Sequence, residues 1–127
     1  MKIIKIFLYS PLDPKYFYSD IISDGEVLRE EDIDESTREI YVMFKGNLYI
    51  FYEAGDPHSI YTFSPDIVVF ETNTAESSYP MNEGIQFLDH YLHNNIPGIK
   101  IIFVIGEEVN LPRSFKYVNN GEDILNL

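Results

Sequence analysis

One carboxylate in this chain stands where α/β proteins place functional groups. Glu71 ends the apolar run 67–70, and a second apolar run, 99–105, follows after an amphipathic segment at 81–93. This alternation predicts a strand, a helix and a second strand. Open α/β sheets hold functional side chains just beyond the carboxyl ends of their strands. The position of Glu71 therefore makes it a candidate for carboxylate chemistry.

A second constellation joins an acidic stretch to a pair of aromatic runs. Between residues 20 and 39, nine side chains are acidic and two are basic. Carboxylates at intervals can meet a Lys- and Arg-rich surface and speed association with it, and aromatic side chains commonly anchor protein interfaces. The middle of the stretch, 30–36, is expected to be a solvated loop or an exposed short helix. The candidate partner-binding residues are Glu30, Glu31, Asp32, Asp34, Glu35, Tyr41, Tyr49, Phe51 and Tyr52.

The histidines and glycines give no clear indication of metal or phosphate chemistry. His90 and His93 are three residues apart beside Asp89, whereas helical zinc sites commonly use a four-residue spacing and a third ligand. Near a helix C-terminus, polar or cationic side chains are explained by the helix dipole. His58 is an isolated loop residue, and the glycines are scattered singly. We therefore expect no metal site, no cofactor and no catalytic residue.

Segment 65–106 resembles the middle of a response-regulator receiver domain. Residues 65–71 read Pro-Asp-Ile-Val-Val-Phe-Glu, which follows the phosphoacceptor strand of that family except that Glu71 stands where the family has Asp. Gly84 fits the start of the next helix, and Ile105 stands where the family has Thr or Ser. The resemblance implies a flavodoxin-like fold with Glu71 at a degenerate phosphoacceptor position.

Outside that segment the chain departs from the receiver pattern. The first apolar run ends on Tyr9 and Ser10 rather than on the acidic pair that holds Mg²⁺ in receivers, and no matching Lys follows a later strand. Glu71 cannot form the aspartyl phosphate of the family, and the carboxylates that would hold the assisting metal are missing. The resemblance therefore implies a regulator that acts without phosphorylation.

A further resemblance is to nucleoside deoxyribosyltransferases. Residues 6–12, which read Ile-Phe-Leu-Tyr-Ser-Pro-Leu, are similar to the first strand and loop of that family. The family also needs an Asp-rich helix start and a catalytic Glu, which Asn82-Glu83-Gly84 matches only in part. This resemblance implies a small-molecule enzyme in which Glu83 is the nucleophile.

The composition describes a folded acidic protein. The chain has 127 residues, 45% hydrophobic and 24% charged, which suits one domain spanning 1–127. The formal net charge of -12 argues against direct binding to nucleic acid or to an anionic membrane, because both attract a basic face. There is no Cys, and the N-terminal apolar run is too short to span a membrane. A cytoplasmic protein is expected.

These patterns predict an α/β fold: a single domain whose mixed sheet has a parallel, flavodoxin-like core and an added antiparallel hairpin. Parallel strands are predicted near 2–9, 66–71 and 100–105, a hairpin at 39–52 that turns at Lys45-Gly46-Asn47, and helices near 14–23 and 82–93. Residues 61–63 are expected to be extended, 115–118 to form an edge strand, and 122–127 to form a final helical turn.

Acidity and aromatic content favour one function over two alternatives. We expect a non-enzymatic, acidic protein-binding domain of the inhibitor or immunity-protein type, whose partner is a basic protein such as a toxin or a nucleic-acid-handling enzyme. The alternatives are the receiver-like regulator and the small-molecule enzyme implied by the two resemblances.

Overall fold

A computed structural model describes residues 1–9, 17–35, 37–71, 86–87, 89–90, 102–105, 115–118 and 121–126. These residues contain seven strands: β1 (Ile3–Tyr9), β2 (Glu26–Asp34), β3 (Thr37–Phe44), β4 (Asn47–Ala54), β5 (Ile67–Glu71), β6 (Ile102–Ile105) and β7 (Phe115–Val118). They form one sheet in the order β2-β3-β4-β1-β5-β6-β7. Strand β1 runs parallel to β4 and β5, and β5, β6 and β7 continue the parallel set, whereas β3 is antiparallel to both β2 and β4.

The central strand β1 is apolar on both sides because hydrophobic side chains cover both faces of the sheet. We call the side of Phe7 the front face and the side of Ile6 the rear face. The front core contains Phe7, Tyr9, Tyr52, Ala54, Ile60, Phe63, Val68, Phe70, Ile102, Val104 and Phe115. The rear core contains Ile6, Leu8, Ile21, Ile22, Ile40, Val42, Tyr49, Phe51, Val69 and Ile124.

The hairpin of β3 and β4 has a tight two-residue turn. Phe44 pairs with Asn47, and the intervening Lys45 and Gly46 have φ values of 49° and 80°. Two consecutive positive φ values match the right-handed twist of the flanking strands, and Gly adopts them without strain. The predicted hairpin is confirmed, as are the adjacent parallel strands β1, β5 and β6 and the short edge strand β7.

The prediction of a loop or helix at 30–36 is wrong. Residues 26–34 form β2, which pairs along its length with β3. Acidic residues are poor strand formers, but all nine residues of β2 are exposed, so they carry no cost of burying charge. Pairing with the apolar, strongly β-forming β3 outweighs the local preference.

The predicted helices are only partly described. The helix expected at 14–23 appears as one 3-10 turn, Phe17–Asp20, and a turn at Ile21, while 14–16 lie outside the described residues. Within the helix expected at 82–93, Gln86, Phe87, Asp89 and His90 are helical and the other positions lie outside. The C-terminal helical turn is a 3-10 segment, Gly121–Asn126.

The expectation of extended structure at 61–63 is wrong. Helix α1, Ile60–Phe63, follows directly on a 3-10 turn, Pro57–Ser59, whose first backbone groups are capped by Asp56. Ser64 ends α1 in the left-handed conformation with φ of 52°. The Asp-Pro start of this segment is the pattern of a helical N-terminus, and it decides the local structure. No helix in the described part of the chain has the length and hydropathy needed to cross a membrane.

Candidate functional site

Strand β2 is the most exposed and most acidic element that the structure describes. It is the terminal strand of the sheet, next to β3 only, and each of its nine residues is exposed. Its acidic side chains outnumber its one basic side chain, Arg29, by five to one. The acidic residues are Glu26, Glu30, Glu31, Asp32 and Asp34.

Two irregularities in β2 decide which acids share a face. The register against β3 shifts by one residue at Leu28 and again at Ile33, as at β-bulges. Each shift reverses the alternation of side chains between the two faces. As a result Glu31 and Asp34, three positions apart, both lie on the front side, where Glu31 is paired with Glu39 and Asp34 with Thr37. The bulge at Ile33 thus brings Asp34 to the same side as Glu31.

On the front side, the acids of β2 and β3 surround a half-buried tyrosine. The Arg29 guanidinium lies 5.8 Å from the centre of the Tyr41 ring and also pairs with Glu31. A hydrogen bond with Glu39 raises the pKa of Tyr41, and burial and the negative charge of Glu39 act in the same direction. Tyr41 therefore keeps its proton and presents a polar hydroxyl beside two carboxylates.

An open groove continues this front side toward α1. Its walls include Asp34, Glu39 and Asp56, and its floor includes Tyr52 and Phe63. The two rings of the floor are stacked, with centroids 4.7 Å apart and planes inclined by 11°. Both rings are buried in the front core, so the groove presents its carboxylates rather than an aromatic surface.

The pKa of Asp56 is lowered by the contacts that its carboxylate makes with His58. Its carboxylate accepts a hydrogen bond from the backbone N–H of His58 at 2.9 Å, and the His58 ring nitrogen Nδ1 lies 2.9 Å from the same oxygen. The backbone hydrogen bond is the main cause that lowers the pKa of Asp56, and the His58 side chain adds to it, while nearby Asp34 opposes it. The lowered pKa of Asp56 therefore results from its role as the N-cap of the 3-10 turn that precedes α1.

Replacing Asp56 by Ala is expected to cost about 1 kcal/mol of unfolding free energy at neutral pH, the usual value of an N-cap. Because the folded-state pKa lies below the ordinary 3.8, this stabilisation is present above pH 3.8 and is lost as the pH falls through the folded-state pKa. Urea denaturation of wild type and variant should give curves that converge on acidification. Asp123→Ala, an exposed carboxylate, is the control, and a pH-independent gap for Asp56→Ala would contradict the assignment.

The rear side of the same strands carries a polar network centred on Arg38. The guanidinium lies 2.6 Å from Glu30 and 3.8 Å from Asp32. Tyr18 donates its hydroxyl proton to Glu30 at 3.4 Å, and its backbone N–H donates to Glu53 at 2.7 Å. Burial and the neighbouring Glu30 raise the pKa of Tyr18. Glu30 therefore helps to hold the 3-10 turn at 17–20 against the sheet.

Glu53 is the residue of this network that sequence reasoning missed. It is fully buried near the carboxyl end of β4, on the rear side opposite Arg38 in the register. A single acid at the end of an apolar strand was a detectable signal, since such a carboxylate needs a partner when it is buried. One partner, the backbone N–H of Tyr18, is 35 residues away in the sequence, so local sequence patterns could not indicate this hydrogen bond.

The structure separates the predicted partner-binding residues into four groups. Glu30 and Asp32 lie on the rear side with Arg38, whereas Glu31, Asp34 and Tyr41 lie on the front, and Glu35 is exposed in the turn after β2. The aromatic residues Tyr49, Phe51 and Tyr52 are buried in the core, so the prediction that they contact a partner is corrected. They are buried because both faces of β4 are covered.

Glu71 is the last residue of β5 and pairs in register with Ile105. Tyr9, the last residue of β1, pairs with Phe70, so Glu71 lies one position beyond it at the carboxyl edge of the sheet. On the other side of β1, however, the chain forms the meander β2-β3-β4, whereas the flavodoxin-like order 2-1-3-4-5 has a single strand there. The receiver-like role of Glu71 stays a prediction.

Two further sequence hypotheses fall on undescribed positions. Glu83 and His93 lie outside the described residues, so the proposed nucleophile and the His pair have no structural account. Within the described ranges, no group of three or more His, Asp or Glu side chains is arranged to hold a metal ion.

Comparison with known proteins gives structural likenesses but no family. No family model matches the chain, and a search of curated proteins finds no match. Among solved structures, the G domain of the T. maritima FeoB iron transporter is similar over 82% of this chain and 71% of that one, at 13% identity and a TM-score of 0.44. A likeness at this level carries no argument about what this chain binds or does.

Proposed function

We propose that this protein is a non-enzymatic, cytoplasmic binding module that captures a basic protein partner through β2 and the front-side acids. The observation that carries the proposal is the terminal strand itself: nine consecutive exposed residues, five of them acidic, at the open end of a well-packed sheet. The absence of Cys in the sequence suits the reducing cytoplasm.

Electrostatics support a basic partner in particular. The acids of β2 add to a formal net charge of -12, and such a charge attracts a basic surface over roughly a Debye length, about 8 Å at physiological salt. Complementary charge raises the association rate more than it lowers the dissociation rate. Capture should therefore be fast and should weaken as salt is added.

Close contact would take place on the front side. Glu31 and Glu39 are paired across β2 and β3, and the half-buried Tyr41 lies beside them. Tyr is frequently an anchor at interfaces because it offers a large apolar ring with one polar tip. Glu30 is a different case, because it binds Arg38 and Tyr18 and so serves the fold.

The charge reversals Glu31→Lys and Glu35→Lys, made together, are expected to abolish capture of the basic partner without unfolding the protein, because both side chains are exposed. The matched control reverses Asp24 and Asp123, which are also exposed, and raises the net charge by the same amount. Tagged protein of each kind would be used for affinity capture from the native host, with circular dichroism as the check on folding. Equal capture by both double variants would rule the proposal out.

A further inference from the structure

The outer edge of β2 offers more than charge. A terminal strand presents a row of backbone N–H and C=O groups that have no neighbouring strand, and such a row can pair with an incoming extended segment. Most protected edges are short or covered, but β2 has nine residues and all of them are exposed. The other edge strand, β7, has four residues, one of them buried.

The chemistry of β2 decides what could pair with it. Between the irregularities at Leu28 and Ile33, residues 29–32 keep regular register with β3 and include three consecutive acids. In that segment Glu31 lies on the front side, and Glu30 and Asp32 lie on the rear. An added strand would therefore meet carboxylates on both of its faces, which calls for basic residues at consecutive positions. The exposed aliphatic side chains of Leu28 and Ile33 flank the acids on either end.

A second copy of this chain is a poor occupant for the same reason. Pairing of two β2 strands would place acidic segments directly opposite each other, and like charges across a strand pair are destabilising. The exposed acids and the two bulges are devices that discourage indiscriminate edge pairing. With a basic segment, the charge interaction across the strand pair becomes attractive.

We propose that the partner contributes an extended segment with consecutive Lys or Arg residues flanked by aliphatic ones, and that this segment adds to the outer edge of β2 as a further strand. This inference rests on the proposed function and names its binding mode. Main-chain hydrogen bonds to 29–32 hold the segment, cationic side chains on its two faces meet Glu31 and Asp32, and the aliphatic flanks pack on Leu28 and Ile33.

The test uses the whole protein and three peptides of one sequence, Thr-Val-Lys-Lys-Lys-Val-Thr. One is unmodified, one carries N-methyl groups on the backbone nitrogens of the three Lys residues, and one carries the same number of methyl groups on the Lys Nζ atoms. The third peptide keeps the charge and the methyl count but leaves the backbone able to donate. Titration calorimetry in low salt should give similar Kd values for the first and third peptides and about tenfold weaker binding for the second.

Hydrogen exchange locates the contact. The unmodified peptide should slow exchange of amides within residues 26–34 and leave those of β7, residues 115–118, unchanged. Equal binding of the backbone-methylated peptide, no binding of the unmodified one, or slowed exchange elsewhere would overturn strand addition. Slowed exchange of β2 that depends on protein concentration without peptide would assign the edge to a second copy and would also overturn it.

The two proposals fail in different ways. One outcome is that backbone methylation does not weaken peptide binding and the peptide does not slow exchange in β2, while the Glu31→Lys, Glu35→Lys variant loses binding. The acidic capture surface then stands and strand addition is wrong. If that variant and the Asp24→Lys, Asp123→Lys control bind the peptide like wild type, the acidic capture surface is wrong.

Discussion

Replacing Phe51 by Ala is expected to lower the free energy of unfolding by about 3–5 kcal/mol, the range for truncating a large buried ring. Phe51 has an exposed fraction of 0% and lies in the rear core. Its ring centre is 5.8 Å from that of Tyr18 and 6.4 Å from that of Tyr49, so truncation removes contacts with both. Urea denaturation followed by circular dichroism measures the loss.

Tyr41→Ala is the comparison for Phe51→Ala. Tyr41 is on the neighbouring strand β3 but is only half-buried, so its truncation should cost clearly less. The sequence alone suggested that Phe51 contacts a partner. A Phe51→Ala protein that keeps its stability and loses partner capture would restore that suggestion and would contradict the core assignment.

Gly25→Ala is expected to destabilise the protein by about 1–3 kcal/mol through overpacking. A Cβ at this position would lie 2.2 Å from Cγ1 of Val42 and 2.8 Å from Cγ2 of Ile22, both on buried side chains. Either the start of β2 or the rear core must move to accept it. Chemical denaturation measures the cost, and hydrogen exchange should show faster exchange at the start of β2.

Two variants separate the clash from the general cost of replacing glycine. The double variant Gly25→Ala, Val42→Ala removes the nearest atom, so its destabilisation should be smaller than the sum of the two single losses. Gly46→Ala meets no atom within 4 Å but has a positive φ, so its cost is conformational alone, about 1 kcal/mol. Strict additivity in the double variant would contradict the close approach at Gly25.

Local patterns were sufficient for the parallel core and the hairpin. The runs that became β1, β5 and β6 are apolar at nearly every position, with Lys5 the one interruption inside β1, which is typical of strands covered on both faces. Lys45 and Gly46 fit a two-residue turn, and the strands around them pair as expected. These elements could be predicted because residues adjacent in the sequence determine them.

The acidic stretch is exposed, as the sequence indicated, but its predicted secondary structure is wrong. A strand that is exposed on both faces needs no alternation of apolar and polar residues, so β2 carries no strand pattern. Its conformation depends on pairing with β3. The aromatic residues of β4 were predicted to contact a partner but are buried, because their exposure depends on what covers the sheet.

The sequence by itself determined the α/β class, the positions of the main strands along the chain, the hairpin turn and the strongly acidic character, because these follow from composition and from residues close together in the chain. Only the tertiary structure decided that Phe51 is core, that Glu53 is buried against the backbone of Tyr18, and that Glu31 and Asp34 share the front side. The physical reason is that burial and strand register are set by hydrogen bonds and packing between residues distant in sequence. Bulges at Leu28 and Ile33 then decide which carboxylates lie on the same face of the sheet.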